Sequence, residues 1–307
     1  NQYCNQVEFI EVRLDYLDDL AVPALPCTSA AKFIATCRPP REGGLFRGTE
    51  SQRLSVLESA AKVGFNWIDL ENDVPLTELS AFSTQIIRSS HFFDSFPLEL
   101  SKVLDELMES GGNAFKIAAR ISTTSELVKL LSWVESLPTK IPRVVLGMGE
   151  LGQVSRIMGP FLRNLWTYVI EEGGSEVAPG QFSLDEALRG FRVGRWDASA
   201  GIFLLAGSRA PSPELIRLLN VLFEHYGYAG VALPCIVDDL SAIEEYVARS
   251  ELPFGGISDC GPFEGGTSVV TAEDLKQEML VARVTEQFLQ WTDIDPDEDV
   301  IRGYVGG

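Results

Sequence analysis

Short apolar runs alternate with amphipathic stretches along the chain as far as about residue 190. The runs are FIEVRL at 9–14, KFIATCR at 32–38, WIDLE at 67–71, IIRSSHF at 86–92, AFKIAAR at 114–120, RVVLGMG at 143–149 and LWTYVI at 165–170. Between most of them stand ESQRLSVLESAAKVG, LELSKVLDELMESG, TSELVKLLSWVES and GQVSRIMGPFLRN, with apolar residues three and four apart and glycine near several ends. The runs have the length of strands and the intervening stretches the period of helices. Strands joined through helices lie parallel in α/β folds. Seven such strands are one short of a closed (β/α)8 barrel, and the chain opens on what reads as the tail of a helix. The expectation is therefore an α/β TIM-type barrel whose first strand lies ahead of Asn1; an open seven-stranded sheet is the alternative.

Beyond about residue 190 the texture changes. GRWDASAGIFLLAGSRAPSPELIRLLNVLFEHYGYAGVALPCIVDDLSAIEEYV reads as strand, turn, helix, strand, helix, followed by a glycine-rich loop, GGISDCGPFEGGTS. This divides the chain into a barrel over 1–190 and a smaller α/β domain over 191–307. The acidic, turn-rich tail TDIDPDEDVIRGYVGG is expected to be exposed or poorly ordered.

Bulk properties narrow the function. The 307 residues, 45% hydrophobic, suffice for a full core. A net charge of −19 repels phosphate backbones, so no nucleic acid is expected as a partner. The sequence has no apolar run of membrane-spanning length and the first residues lack the pattern of a secretory signal, which points to a cytoplasmic protein. Five cysteines, Cys4, Cys27, Cys37, Cys235 and Cys260, are scattered without a CxxC pair, against a disulfide framework or zinc site. GMGELG lacks the context of a dinucleotide loop, and no Walker lysine loop is present. No cofactor is expected.

The strand ends carry polar residues that converge on one ligand at the C-terminal rim of a parallel barrel. They are Glu11 and Arg13 from IEVRLD, Arg38 and Glu42 from CRPPREGG, His91 from RSSHF, Lys116 from NAFKIA and Arg156 from GQVSR. Glu11 and Arg13, two positions apart on a strand, share a face. Ion pairing at the barrel mouth, Arg13 with Glu11 or Asp15 and Arg38 with Glu42, is the plainer reading of any single pair. Asp69, Glu71 and Asp73 also share a face and are expected to pair with rim arginines rather than hold a metal. A lysine among apolar residues and near other cations is expected to be available as a neutral amine, which attacks a carbonyl to form an imine. A histidine then removes a proton next to the imine and returns it to a departing hydroxyl. Arginines hold a carboxylate by paired hydrogen bonds. These residues suit a class I aldolase or a Schiff-base dehydratase acting on a small oxo-acid.

The ordered set EVRLD, TCRPPREGG, WIDLE, SSH, FKIA, MGELGQVSR and APGQ resembles the type I 3-dehydroquinate dehydratases over about residues 1 to 190. The resemblance implies a (β/α)8 barrel that converts 3-dehydroquinate to 3-dehydroshikimate and water in the shikimate pathway. Lys116 would form the imine and His91 would be the general acid and base. Glu11 and Glu42 would orient His91 or bind ring hydroxyls, and Arg13 and Arg38 would hold the polar ring face. Arg156 would bind the carboxylate and Gln181 would close over the substrate. Three departures stand out: Val177 precedes APGQ where the family often has serine, Phe92 follows the histidine, and the 25-residue interval from His91 to Lys116 is short for the family.

Residues 191–307 are similar to the start of the substrate-binding domain of shikimate dehydrogenase, to which this dehydratase is fused in several lineages. Ser212 matches one of two usual serines, Ala210 stands at the other, and Glu264 stands where that family has a catalytic lysine. The resemblance implies a vestigial domain without dehydrogenase activity, with stability, homodimerisation or partner contact as its roles. A catalytically silent sensor of a shikimate-pathway ligand is the alternative to an active enzyme. Retention of both Lys116 and His91 favours the enzyme.

Overall fold

A computed structural model describes residues 5–17, 21–26, 30–76, 83–171, 180–259 and 273–305, with side chains of the last segment described from 279. The chain divides into two compact units: Asn1–Ala119 with Pro138–Val145, and Arg120–Leu137 with Leu146–Gly307.

The predicted strands form where the apolar runs lie: β1 (Phe9–Arg13), β2 (Lys32–Thr36), β3 (Trp67–Glu71), β4 (Gln85–Phe92), β5 (Ala114–Arg120) and β6 (Arg143–Met148). They join in chain order in one six-stranded sheet. The pairings β1–β2, β2–β3, β3–β4 and β4–β5 are parallel. Asparagines pin this register at the strand entrances. The Asn66 side chain accepts from Phe33 N at 2.8 Å, and that of Asn113 accepts from Ile86 N at 2.8 Å. Even-numbered residues of β3, Ile68 and Leu70, are buried, and a core including Leu57, Ala60 and Phe65 packs with them. The helix α1 (Glu50–Val63) starts in a capping box between Thr49 and Gln52 and stops at Gly64, whose φ of +103° suits glycine. The interval between His91 and Lys116 holds only a ten-residue helix, α2 (Leu100–Glu109), which buries Leu100, Leu104 and Leu107.

The run expected as a seventh strand, 165–170, is extended only at β7 (Val169–Ile170). It pairs with β8 (Phe182–Ser183) as a separate two-stranded ribbon. Among the described residues the large sheet therefore has six strands.

In the second unit, α3 (Thr124–Ser136) and α6 (Leu240–Arg249) pack together and are clasped at both ends of α3. The Thr124 hydroxyl donates to Asp238 and accepts from Asp238 N and Asp239 N at 2.9 and 3.1 Å. At the other end, Glu135 accepts from the Tyr246 hydroxyl, the Ser250 hydroxyl and Glu251 N at 3.1, 2.9 and 2.6 Å. The predicted order of strand, helix, strand, helix past residue 190 holds in β9 (Gly201–Gly207), α5 (Pro213–His225), β10 (Gly230–Ile236) and α6, but the start of the glycine-rich segment expected as a loop is a strand, β11 (Phe254–Asp259), because it finds a ladder partner in β9. These strands pair in parallel in the order β10, β9, β11. The long helix α7 (Glu273–Thr292) precedes a surprise in the tail, where α8 (Glu298–Tyr304) forms. Most of the described tail is exposed, as expected, yet it is ordered as a helix: Asp297 caps it, accepting from Asp299 N at 2.9 Å, and Ile301 is fully buried. No helix among the described residues is long and apolar enough to cross a membrane.

Candidate active site

Towards the C-terminal ends of β3 and β4 the odd-numbered residues are polar, Asp69, Glu71, Ser89 and His91, and they alternate with the apolar Ile68 and Leu70 of the core. Parallel register sets Glu71 beside Ser89 and Ser89 beside Lys116. Glu11 of β1 accepts from the Thr36 hydroxyl at 2.7 Å and lies 3.8 Å from Lys116 Nζ. The buried Asp69 carboxylate is the hub. It pairs with Lys116 Nζ at 2.9 Å and Arg38 Nη2 at 2.7 Å, and accepts from the Ser89 hydroxyl at 2.5 Å. Arg38 Nη1 reaches Glu71 at 2.7 Å and Ser89 Oγ at 2.9 Å. Burial alone would raise the Asp69 carboxyl, but the Arg38 and Lys116 charges win and hold it well below the usual carboxylate range. Burial opposes the Arg38 charge too, and Asp69 and Glu71 overcome it, leaving its guanidinium even more firmly protonated than usual.

The surroundings of Lys116 thus differ from the sequence expectation. Its neighbours along β5 are apolar and buried, yet its amine meets a carboxylate that lies on a strand two removed from its own. Arg38 pairs with Asp69 and Glu71, not with Glu42, while Arg13 does pair with Asp15, at 2.9 and 2.7 Å. Asp73, beyond the end of β3, pairs with Arg41 at the surface.

Glu42 instead serves His91. Its Oε2 accepts from His91 N at 2.8 Å and lies 2.9 Å from Nδ1. Burial pushes the Glu42 carboxyl up to about 7 despite the Arg38 charge. His91 is held well below its usual value by burial and then by the Arg38 and Lys116 charges, so its ring is neutral at pH 7. A neutral ring that donates from Nδ1 to ionised Glu42 keeps Nε2 as a free base. Phe93, rather than Phe92, covers the ring, with centroids 6.1 Å apart and planes at 13°. The two glycines of PREGG make room for this. A methyl on Gly43 would meet the Phe93 ring at 2.5 Å, and one on Gly44 would sit 1.9 Å from the Arg38 carbonyl oxygen.

Arg156 and Gln181 belong to the second unit. Arg156 lies buried in the short helix α4 (Gln153–Ile157). GMGELG explains itself there: Gly147 and Gly152 pack backbone to backbone, a methyl on Gly152 falling 2.6 Å from the Gly147 carbonyl carbon. The Ser155 hydroxyl locks the turn, accepting from Gly147 N and donating to Gly152 O, both at 2.7 Å. Gly180, next to Gln181, packs against the same turn, its would-be methyl 2.6 Å from the Gly149 carbonyl oxygen. Arg156 and Gln181 are thus brought to one turn. Val177 and Glu264 lie outside the described residues.

Sequence reasoning named every ionisable side chain of the polar face except Arg53, described below, and did not single out Ser89. Ser89 is visible beforehand only as one of the paired serines in SSH. Among the described residues, no cluster of three or more His, Cys, Asp and Glu side chains is arranged to hold a metal ion.

A buried amine and a neutral imidazole on one face of a parallel sheet are the equipment of imine-forming α/β enzymes, and fold and site together define that class. Within it, residues 2–194 match the type I 3-dehydroquinase family, and the chain belongs to that family. The 3-dehydroquinate dehydratase of Desulfotalea psychrophila is 33% identical over 189 residues, covering 58% of this chain and 84% of that protein. The chloroplastic bifunctional 3-dehydroquinate dehydratase/shikimate dehydrogenase of Arabidopsis thaliana is 24% identical over 263 residues, 82% of this chain and 43% of its own length. Among solved structures, the 3-dehydroquinate dehydratase of Aquifex aeolicus shares the fold at a TM-score of 0.51 and 24% identity, covering 63% of this chain and 92% of that one. The dehydroquinate dehydratase and shikimate dehydrogenase of S. pombe AroM aligns at a TM-score of 0.50 and 22% identity, over 84% of this chain and 52% of that one.

Proposed function

We propose that the polar face dehydrates 3-dehydroquinate to 3-dehydroshikimate through an imine on Lys116. The observation that carries the reading is the buried Lys116 amine, fixed by Asp69 on the face that also bears the His91–Glu42 couple. The amine adds to the ring ketone and water leaves, giving an iminium that draws electrons from the neighbouring carbon. His91 Nε2 takes the proton from that carbon. The hydroxyl one carbon further on departs with a proton returned by His91, and hydrolysis of the conjugated imine frees Lys116. Arg38 and Arg13 hold the polar ring face, Glu11 a ring hydroxyl, Arg156 the carboxylate, and Gln181 closes over the ring.

The dehydratase extends to about residue 190. Residues 191–307 are a shikimate dehydrogenase-like substrate-binding domain without dehydrogenase activity, a reading supported by the β9–α5–β10–α6–β11 order and by the fused relatives. We place the protein in the cytoplasm, with homodimerisation as one role of that domain.

Adding 3-dehydroquinate to the folded protein should raise the ultraviolet absorbance of the conjugated enone. Borohydride together with substrate should add the reduced ligand to the peptide bearing Lys116, and Lys116→Ala should lose both signals. A folded wild-type protein that gives no absorbance rise overturns the reading.

A further inference from the structure

One buried cation near the site stands too far back to meet a substrate. Arg53, on α1, is fully buried, and its guanidinium is spent on three partners. Nη1 donates to the Cys37 carbonyl at 2.8 Å and lies 2.7 Å from Glu71 Oε2 as an ion pair, without the alignment of a hydrogen bond, while Nε and Nη2 fork onto Glu50 at 3.0 and 2.5 Å. The other Glu71 oxygen, Oε1, belongs to Arg38. A chain of contacts between 2.7 and 2.9 Å thus runs from the helix to the reactive amine: Arg53, Glu71, Arg38, Asp69, Lys116.

We propose that Arg53 is a positioning residue for Lys116, acting through Glu71 and Arg38. Guanidinium and carboxylate prefer a two-pronged fork, two parallel hydrogen bonds on two oxygens. Arg38 does not make that fork with either of its carboxylates: one terminal nitrogen goes to Glu71 and the other to Asp69. Arg53 is the reason, because its charge lies against Oε2 and leaves Glu71 one oxygen, Oε1, for Arg38. Remove the Arg53 charge, and Glu71 becomes a buried carboxylate short of one partner, which Arg38 satisfies by turning both prongs onto it. Asp69 then loses its strongest counter-charge and closes on Lys116, and Ser89 loses the Arg38 end of its bridge. The amine is displaced and bound more tightly in the form that cannot attack a ketone.

The kinetic part of the test rests on the dehydratase reading, so it is paired with a measurement that needs no substrate. In Arg53→Met, kcat for 3-dehydroquinate should fall about tenfold or more with KM within about threefold, since Arg53 touches no ligand. Reductive methylation with formaldehyde and cyanoborohydride, followed by peptide mass spectrometry, should fall at Lys116 by about threefold or more relative to the exposed Lys32, and a rise there would overturn the proposal. Arg53→Lys, which keeps the charge, should recover part of both. In a Glu71→Gln background, Arg53→Met should add less than about twofold, because the link is already cut. A folded Arg53→Met protein with wild-type kcat and Lys116 methylation overturns the proposal, as does the same loss with and without Glu71. If Arg53→Met alone does not fold, the comparison of Arg53→Met/Glu71→Gln with Glu71→Gln decides, and failure of that double variant to fold also counts against a positioning role. A wild-type protein inactive on 3-dehydroquinate would sink the dehydratase reading, yet the methylation ratio would still test the relay.

Discussion

The Glu42 carboxyl is pushed up to about 7 by burial, so its charge changes near neutral pH. Its ionised form orients His91 by accepting from Nδ1, so activity should climb as pH rises through about 7. His91 itself is held too low to produce that limb. Glu42→Gln is expected to lower kcat by about one to two orders of magnitude and to remove the limb; a pH profile of kcat for both proteins checks it. Cys37 and Cys235 are buried thiols pushed up to about 12, out of reach of the thiolate chemistry that alkylating reagents require. How far the site could be read in advance follows from geometry. Glu11 with Arg13 and Asp69 with Glu71 are legible because alternation puts i and i+2 on one face. The Asp69–Lys116 and Arg53–Glu71 pairs bridge 47 and 18 positions of chain, and nothing local to either partner announces them. They exist only once parallel register has placed β3, β4 and β5 side by side.

At the scale of elements, the strand-and-helix rhythm was legible because each run met the period of its own structure. Besides β11, a strand where a glycine-rich loop was expected, two departures share a cause in tertiary contacts. Residues 165–170 have strand composition, but only Val169 and Ile170 find a ladder partner, in β8. The acidic tail has the composition of a solvated segment, yet one buried Ile301 and one capping Asp297 turn it into α8. The turn joining β6 to α4 is set by glycine for a reason no dinucleotide motif supplies, the contact of Gly147 with Gly152. Gly152→Ala would force a methyl against the Gly147 backbone, where no flexible side chain can yield. A loss of about 1–3 kcal/mol in urea-unfolding stability is expected. Because α4 carries Arg156, KM should rise in the same variant, and steady-state kinetics on its folded fraction reads that change.

For the molecule as a whole, buried carboxylates set the dependence of stability on acid. Asp69 and Asp15 both have native values below 3.8, so between their native and unfolded values the unfolded chain binds more protons. Their contribution is complete above the unfolded value and is lost as pH falls through the native one. Glu42 has the opposite sign, stabilising fully below 4.5 and fading as pH rises through about 7. The urea midpoint should therefore drop as pH is taken from about 5 towards 2. Asp69→Asn should be less stable at pH 7 by about 3–5 kcal/mol, since it leaves Arg38 and Lys116 facing a neutral amide, and its acid slope should be shallower. Equilibrium unfolding at several pH values measures both.

The clasp on α3 also places this chain in time. Thr124 and Glu135 wait for partners 111 to 116 positions downstream. At roughly 5–20 residues per second, a ribosome needs roughly 6 to 23 seconds to deliver them. Through that interval the helix next in sequence after the lysine strand is translated but unclasped, so α3 reaches its native contacts only after α6 has been made. The segment that carries α6 is thus a late partner in the folding of α3.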